Sequence, residues 1–153
     1  EPVEAAKYNY LVMPQKEHWG VIMRADDPLA KREHITKEDL YKLPLILPRR
    51  NIIRDEVSDV LQLDQTKLNI MASNNLPNNA LELIRTGHYY AVAIKGVTDI
   101  LKDPDVRFIP FSPAKETGHV MVWRKNNVLA PAAEKFLQYV VDESNKKAPT
   151  EED

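Results

Sequence analysis

The sequence predicts an α/β fold: a mostly parallel sheet with helices on both faces. Two observations carry this. Between Leu43 and Phe111, short apolar runs (LPLIL, LNIMA, YYAVAIKG, VRFIPF) alternate with segments whose apolar residues recur at helical spacing. Strands alternating with short helices build βαβ units, and those place strands parallel. The composition, 43% hydrophobic and 29% charged over 153 residues, is that of a globular domain long enough to bury a core.

Taken in order, Lys7–Pro14 (KYNYLVMP) reads as a strand and His18–Arg24 (HWGVIMR) as a second apolar run, closed by the turn residues Ala25-Asp26-Asp27-Pro28. Thr36 followed by Asp39 is a variant capping box that opens a short helix through Tyr41. Leu43–Leu47, stopped by Pro48, is a buried strand. From Asn51 the period changes: Ile53, Val57, Val60 and Leu61 lie on one helical face. Leu68–Ala72 is a strand. The helix after it has asparagines at its start, Pro77 in its first turn and Gly87 just past its end. Tyr89–Gly96 is a strand, Val97–Lys102 a short helix, and Val106–Phe111 and His119–Arg124 are strands. The last helix starts at Pro131 and repeats Ala133, Phe136, Leu137, Val140 and Val141 on one face. Residues 146–153, charged and proline-containing, predict a disordered tail.

Most chemistries are excluded or unsupported. No cysteine means no disulfide scaffold, thiolate zinc site or cysteine nucleophile. The four histidines (His18, His34, His88, His119) never stand at i, i+3 or i, i+4, so no helical metal pair is expected. There is no G-x-S-x-G and no Walker loop, and four glycines build no glycine-rich phosphate cradle. No cofactor stripe is visible. The net charge of −2 lacks the basic excess of a nucleic-acid-binding module. No stretch approaches the roughly 18 apolar residues of a membrane span. The N-terminus has no signal-peptide layout and no initiator methionine, so the chain is expected to be a piece of something longer.

One stretch combines the features of an anion site. Arg49-Arg50-Asn51-Ile52-Ile53 leaves the carboxyl end of a buried strand and enters a helix. Ligands in open α/β sheets bind outside the carboxyl ends of strands. Free amides and the positive dipole end of a helix favour an anion there. Two solvated surface arginines are the bland alternative. Trp19, beside Gly20 at a strand start, either lines a pocket or is partly buried core.

With these motifs in hand, the chain resembles the effector-binding domain of LysR-type transcriptional regulators. The resemblance rests on PLAKR at Pro28–Arg32, Asp39-Leu40, LPLILPRR at Leu43–Arg50, Leu68–Gly96, VRFIPFSP at Val106–Pro113, and VMVWRKNNVLAPAAEKFLQYV at Val120–Val140, in the family's order. It covers nearly all of residues 1–145. Such domains look like periplasmic binding proteins, with two α/β subdomains joined by crossing strands. The resemblance implies a complete second subdomain over 18–111. It implies parts of the first subdomain and the crossing strands over 1–17 and 112–145. The family's helix-turn-helix, and the first half of the first subdomain, have no counterpart here.

The resemblance further implies a cytoplasmic, non-catalytic sensor. It would bind a small effector, a carboxylate or other anion, in a cleft between subdomains. The matching positions are Arg49, Arg50, Asn51, Ile52 and Ile53, with Trp19 near the first crossing. DNA would be bound only through the missing domain, and no membrane would be involved. Thr86–Tyr90 departs from the glycine-rich turn that many members carry. Two rivals remain at this stage: a fragment of an extracytoplasmic solute-binding protein, and a small α/β enzyme. Finally, a first subdomain without its opening elements would leave the Phe136–Val141 helix face and an unpaired His119–Arg124 edge uncovered. Self-association, by domain swapping above all, is therefore expected.

Overall fold

The computed structural model describes residue 4, residues 6–76 and residues 78–147. The chain divides into two compact units: unit 1 is Glu1–Lys16 with Gly118–Asp153, and unit 2 is Glu17–Thr117. The strands are β1 (Tyr8–Arg24), β2 (Pro44–Pro48), β3 (Asn69–Asn74), β4 (Tyr90–Ile94), β5 (Val106–Pro110) and β6 (Glu116–Arg124). The α-helices are α1 (Lys37–Leu40), α2 (Asn51–Leu61), α3 (Asn78–Arg85), α4 (Gly96–Leu101) and α5 (Pro131–Lys147).

Unit 2 is a layered α/β body around strands ordered β3-β2-β4-β1-β5. The sheet is mixed. β2 runs parallel to β3 and β4, as the βαβ pattern requires, whereas β1 is antiparallel to both β4 and β5. Successive residues of a strand point to opposite faces, and two apolar layers result. Val21, Met23, Leu45, Leu47 and Val92 pack on one face with Leu40, Val57 and Leu61 from α1 and α2. Ile22, Ile46, Ala91 and Ala93 pack on the other with Ala80, Leu81 and Ile84 of α3. β2 and β4 are buried on both faces, which is why they read as unbroken apolar runs.

Local chemistry sets the ends of these elements. Thr36 N–H and O–H both donate to Asp39 Oδ2 (2.9 Å each) at the start of α1. Burial alone would raise the Asp39 carboxyl; these bonds and the Arg32 guanidinium outweigh it and hold it below the usual range. Gly87, at φ 79°, turns the chain out of α3 in the left-handed region that glycine tolerates. Gly20 is demanded by packing: a Cβ there would lie 2.2 Å from Ile109 O and 2.5 Å from the Phe108 ring.

Unit 1 is simpler. The 8–16 half of β1 pairs with β6, and α5 belongs to the same unit. Bonds from Lys125 N–H to Lys7 O (3.0 Å) and from Trp19 N–H to Lys115 O (2.8 Å) sit at the two ends of the β1–β6 pairing, so the strands run antiparallel. Three sequence expectations are corrected here. The runs 7–14 and 18–24 form one 17-residue strand. Gln15-Lys16-Glu17 breaks the apolar pattern but not the extended backbone. The last strand begins at Glu116 rather than His119, and among the described residues β1 is the strand beside it. The tail does not begin at Lys146, because α5 runs through Lys147: no breaker precedes Pro149, and lysines suit a helix C-terminus. Residues 148–153 and Pro77 lie outside the described residues.

Candidate functional site

The candidate site is the carboxyl edge of the unit 2 sheet. β2 and β4 are parallel and end at this edge, and antiparallel β1 enters the unit there. The row Ile46–Ala91–Ile22 is fixed by register. Toward this edge Trp19 of β1 pairs with Ile94 of β4, and Arg49 follows directly on the last residue of β2. On the other side Pro48 pairs with Asn74, and Arg49 N–H donates to Asn74 O (2.7 Å).

The turn from β2 into α2 is braced from within. Arg54, one turn into the helix, reaches back with Nε to Pro48 O (2.9 Å) and with its terminal nitrogen to Arg49 O (3.2 Å). Arg50 is the N-cap residue, extended at φ −72° and ψ 121°, and gives no side-chain cap. The first helical bond of α2 is Arg54 N–H to Arg50 O (3.3 Å). The backbone amides of Asn51, Ile52 and Ile53 therefore precede the intrahelical ladder. Arg49 and Arg50 are exposed. Among the described residues, the Arg49 guanidinium makes no hydrogen bond or ion pair.

Trp19 is buried (7% exposed) in the layer shared with α2. Its indole Nε1 is the buried side-chain polar atom left without a partner among the described residues. Beside it, His18 O accepts from Lys95 N–H (3.0 Å), and the Glu17 carboxylate accepts from Gly96 N–H (2.9 Å). Glu17 thus supplies its own chain's anion at the start of α4. Gly96 permits this approach, since a Cβ there would meet Glu17 Oε1 at 2.6 Å. Lys95 is paired with Asp99 (3.4 Å).

Sequence reasoning missed Arg54, Asn74, Glu17 and Gly96. Arg54 carries a local signal, a cation one turn inside a helix that follows two arginines. Glu17 and Gly96 are 79 residues apart, and no local pattern links them.

The opposite edge of the sheet differs in charge. There Arg24 grips Asp26 through two bonds (2.5 and 2.6 Å), and Arg85 pairs with Glu82 and Asp103. The Asp105 N–H and then the Arg85 guanidinium hold the Asp103 carboxyl below its ordinary range. Cations at that edge are already neutralised; Arg49 is not. Beneath α2, a void of about 20 Å³ lined by Leu45, Leu47, Val57, Ser58, Leu63 and Val92 has room for a water and no effector. No group of metal-ligating side chains and no helix long and apolar enough to cross a membrane occurs among the described residues.

Comparison with known proteins places the chain as a whole in a family. The LysR substrate binding domain family matches residues 6–145. No curated protein matches the sequence. Among solved structures, the effector-binding domain of QuiR in complex with shikimate is 16% identical, with a TM-score of 0.75 over 96% of this chain and 70% of that one. The regulatory domain of Synechocystis PCC6803 CcmR in complex with 2-PG is 16% identical, with a TM-score of 0.68 over 98% and 73%. Full-length CbnR complexed with its target DNA is 18% identical, with a TM-score of 0.73 over 94% and 50%. The chain thus spans about half the length of the full-length regulators it matches.

Proposed function

The chain belongs to the LysR substrate binding domain family, and from that premise we propose that it is the ligand-sensing region of a LysR-type transcriptional regulator. In this reading the second subdomain expected over 18–111 lies within unit 2, which also takes in residues 17 and 112–117 of the pieces expected over 1–17 and 112–145; the rest of those pieces lie in unit 1. The region performs no catalysis. Its effector is a small anion, a carboxylate or phosphate ester, bound at the Arg49–Ile53 turn with Trp19 in the adjacent wall. The observation that carries this is the unpaired Arg49 guanidinium beside the leading amides of an 11-residue helix. Relatives bound to shikimate and to 2-PG support the ligand class.

The mechanism is a population shift. An effector that binds one conformation more tightly moves the regulator toward that conformation, and DNA binding by a domain outside this chain follows. The working place of such a regulator is the cytoplasm, beside its operator. Association with a second copy is the other partnership in this reading.

Calorimetric titration with shikimate, 2-PG and simple dicarboxylates tests the site. A ligand that binds the wild type should bind Arg49→Ala about tenfold more weakly, the loss of one charge-assisted contact. Equal affinities for the wild type, Arg49→Ala and Arg50→Ala would remove the turn as the site.

A further inference from the structure

The carboxyl edge of the unit 2 sheet carries a second charge besides Arg49. Glu17 stands on β1, two residues before Trp19, where that strand enters the unit. The side chain is half-buried. Its Oε2 accepts from Gly96 N–H (2.9 Å), the one hydrogen bond it makes among the described residues. The contact is close: a Cβ at Gly96 would lie 2.6 Å from Glu17 Oε1. Lys95, next to Gly96, is held by Asp99 (3.4 Å), and no cation among the described residues pairs with Glu17. A carboxylate offers about four acceptor positions, so one backbone amide leaves most of them open. Accepting from Gly96 does not require the charge, since a neutral amide oxygen accepts the same bond.

We propose that Glu17 sets the chemistry of the effector: a monoanion that carries a hydrogen-bond donor, a hydroxyl or an ammonium, away from its acid group. The assignment rests on the reading that the Arg49–Ile53 turn holds the acid. Charges of opposite sign then share one sheet edge. Arg49 follows the end of β2, Glu17 lies on β1, and β4 runs between those strands, which sets them about 10 Å apart. That separation suits a small molecule with different groups at its two ends. A hydroxyl or ammonium brought to Glu17 makes a charge-assisted hydrogen bond in a half-buried setting, where such bonds are strongest. A second acid brought to the same place meets a like charge that no neighbouring cation offsets. Glu17 thus selects by rejection as well as by attraction, and simple dicarboxylates are what it rejects.

Calorimetric titration with 4-hydroxybutyrate, 4-aminobutyrate and succinate at neutral pH tests the assignment, because these probes share a chain and one carboxylate and differ at the other end. The wild type should bind the first two at least about tenfold more tightly than succinate. Glu17→Gln keeps an acceptor for Gly96 N–H and removes the charge, so the fold is retained, which circular dichroism checks. The preference should then fall to within about threefold. Asp99→Asn, which removes a carboxylate already paired with Lys95, should leave the preference as it is. Arg49→Ala should weaken the binding of all three probes and leave their order unchanged. A wild type without this preference, or one that binds none of the three, refutes the role of Glu17, as does a preference that survives Glu17→Gln. In each of those cases shikimate and 2-PG still report on the Arg49 turn. Affinities unmoved by Arg49→Ala refute the turn, and with it the assignment.

Discussion

Unit 2 and unit 1 use the same kinds of element to opposite effect. Every buried residue among those described, from Trp19 to Phe111, belongs to unit 2. Unit 1 has strands with equally apolar sequences, yet Tyr10, Val12, Val120, Val122, Phe136 and Tyr139 are all exposed. The difference is in layers. β2 and β4 lie between strand neighbours and under helices on both faces, whereas among the described residues the unit 1 half of β1 has only β6 beside it. An apolar residue is not core by composition; it becomes core when a second and a third layer close on it.

Truncation at matched positions should show the largest contrast. Leu45→Ala, at a fully buried position on β2, should cost about 2–5 kcal/mol in urea unfolding. Phe136→Ala, 60% exposed on α5, should cost at most about 0.5 kcal/mol in the monomer. Similar losses at both sites would mean that unit 1 has a core of its own, and the contrast would break.

A smaller effect sharpens the account of how unit 2 holds its sheet together. Gly20→Ala inserts a methyl where β1 meets the Ile109 carbonyl and the Phe108 ring, and should cost about 1–3 kcal/mol. Gly118, in unit 1, has open space around the same position. Gly118→Ala should therefore be nearly neutral, and thermal unfolding of the pair measures the difference.

The smallest effect is a pH dependence confined to unit 2. Tyr90 O–H donates to Asp27 Oδ2 (2.6 Å), and burial, then that bond, pushes the phenol up to about 12. A raised folded-state value means the unfolded chain releases this proton first. The stabilisation is complete below about pH 10 and is lost as pH rises toward 12. Tyr90→Phe should remove that part of the alkaline destabilisation, seen as a flatter unfolding midpoint between those pH values. An unchanged profile would mean that the Tyr90–Asp27 bond does not hold in solution.

Much of this was legible locally. The Thr36–Asp39 cap, the stop at Gly87, the buried runs of β2 and β4 and the α2 periodicity are each fixed by residues within a few positions of one another. The candidate turn was legible for the same reason, since strand end, arginines and helix start are contiguous from Pro48 to Ile53. The direction of β1 was not. Parallel and antiparallel strands share one side-chain alternation, and only pairing with β4 and β5 makes the sheet mixed.

The sequence by itself therefore determined the α/β class, the element order and the place where a cation-rich turn enters a helix, because periodicity, caps and turn residues act over short range. Tertiary structure alone decided which cations stay unpaired, that Glu17 rather than a ligand fills the start of α4, and which apolar residues are covered. Those outcomes depend on partners far apart in the chain. Glu17 meets Gly96 across 79 positions, and a strand such as the first half of β1 is exposed or buried according to layers that its own residues do not encode.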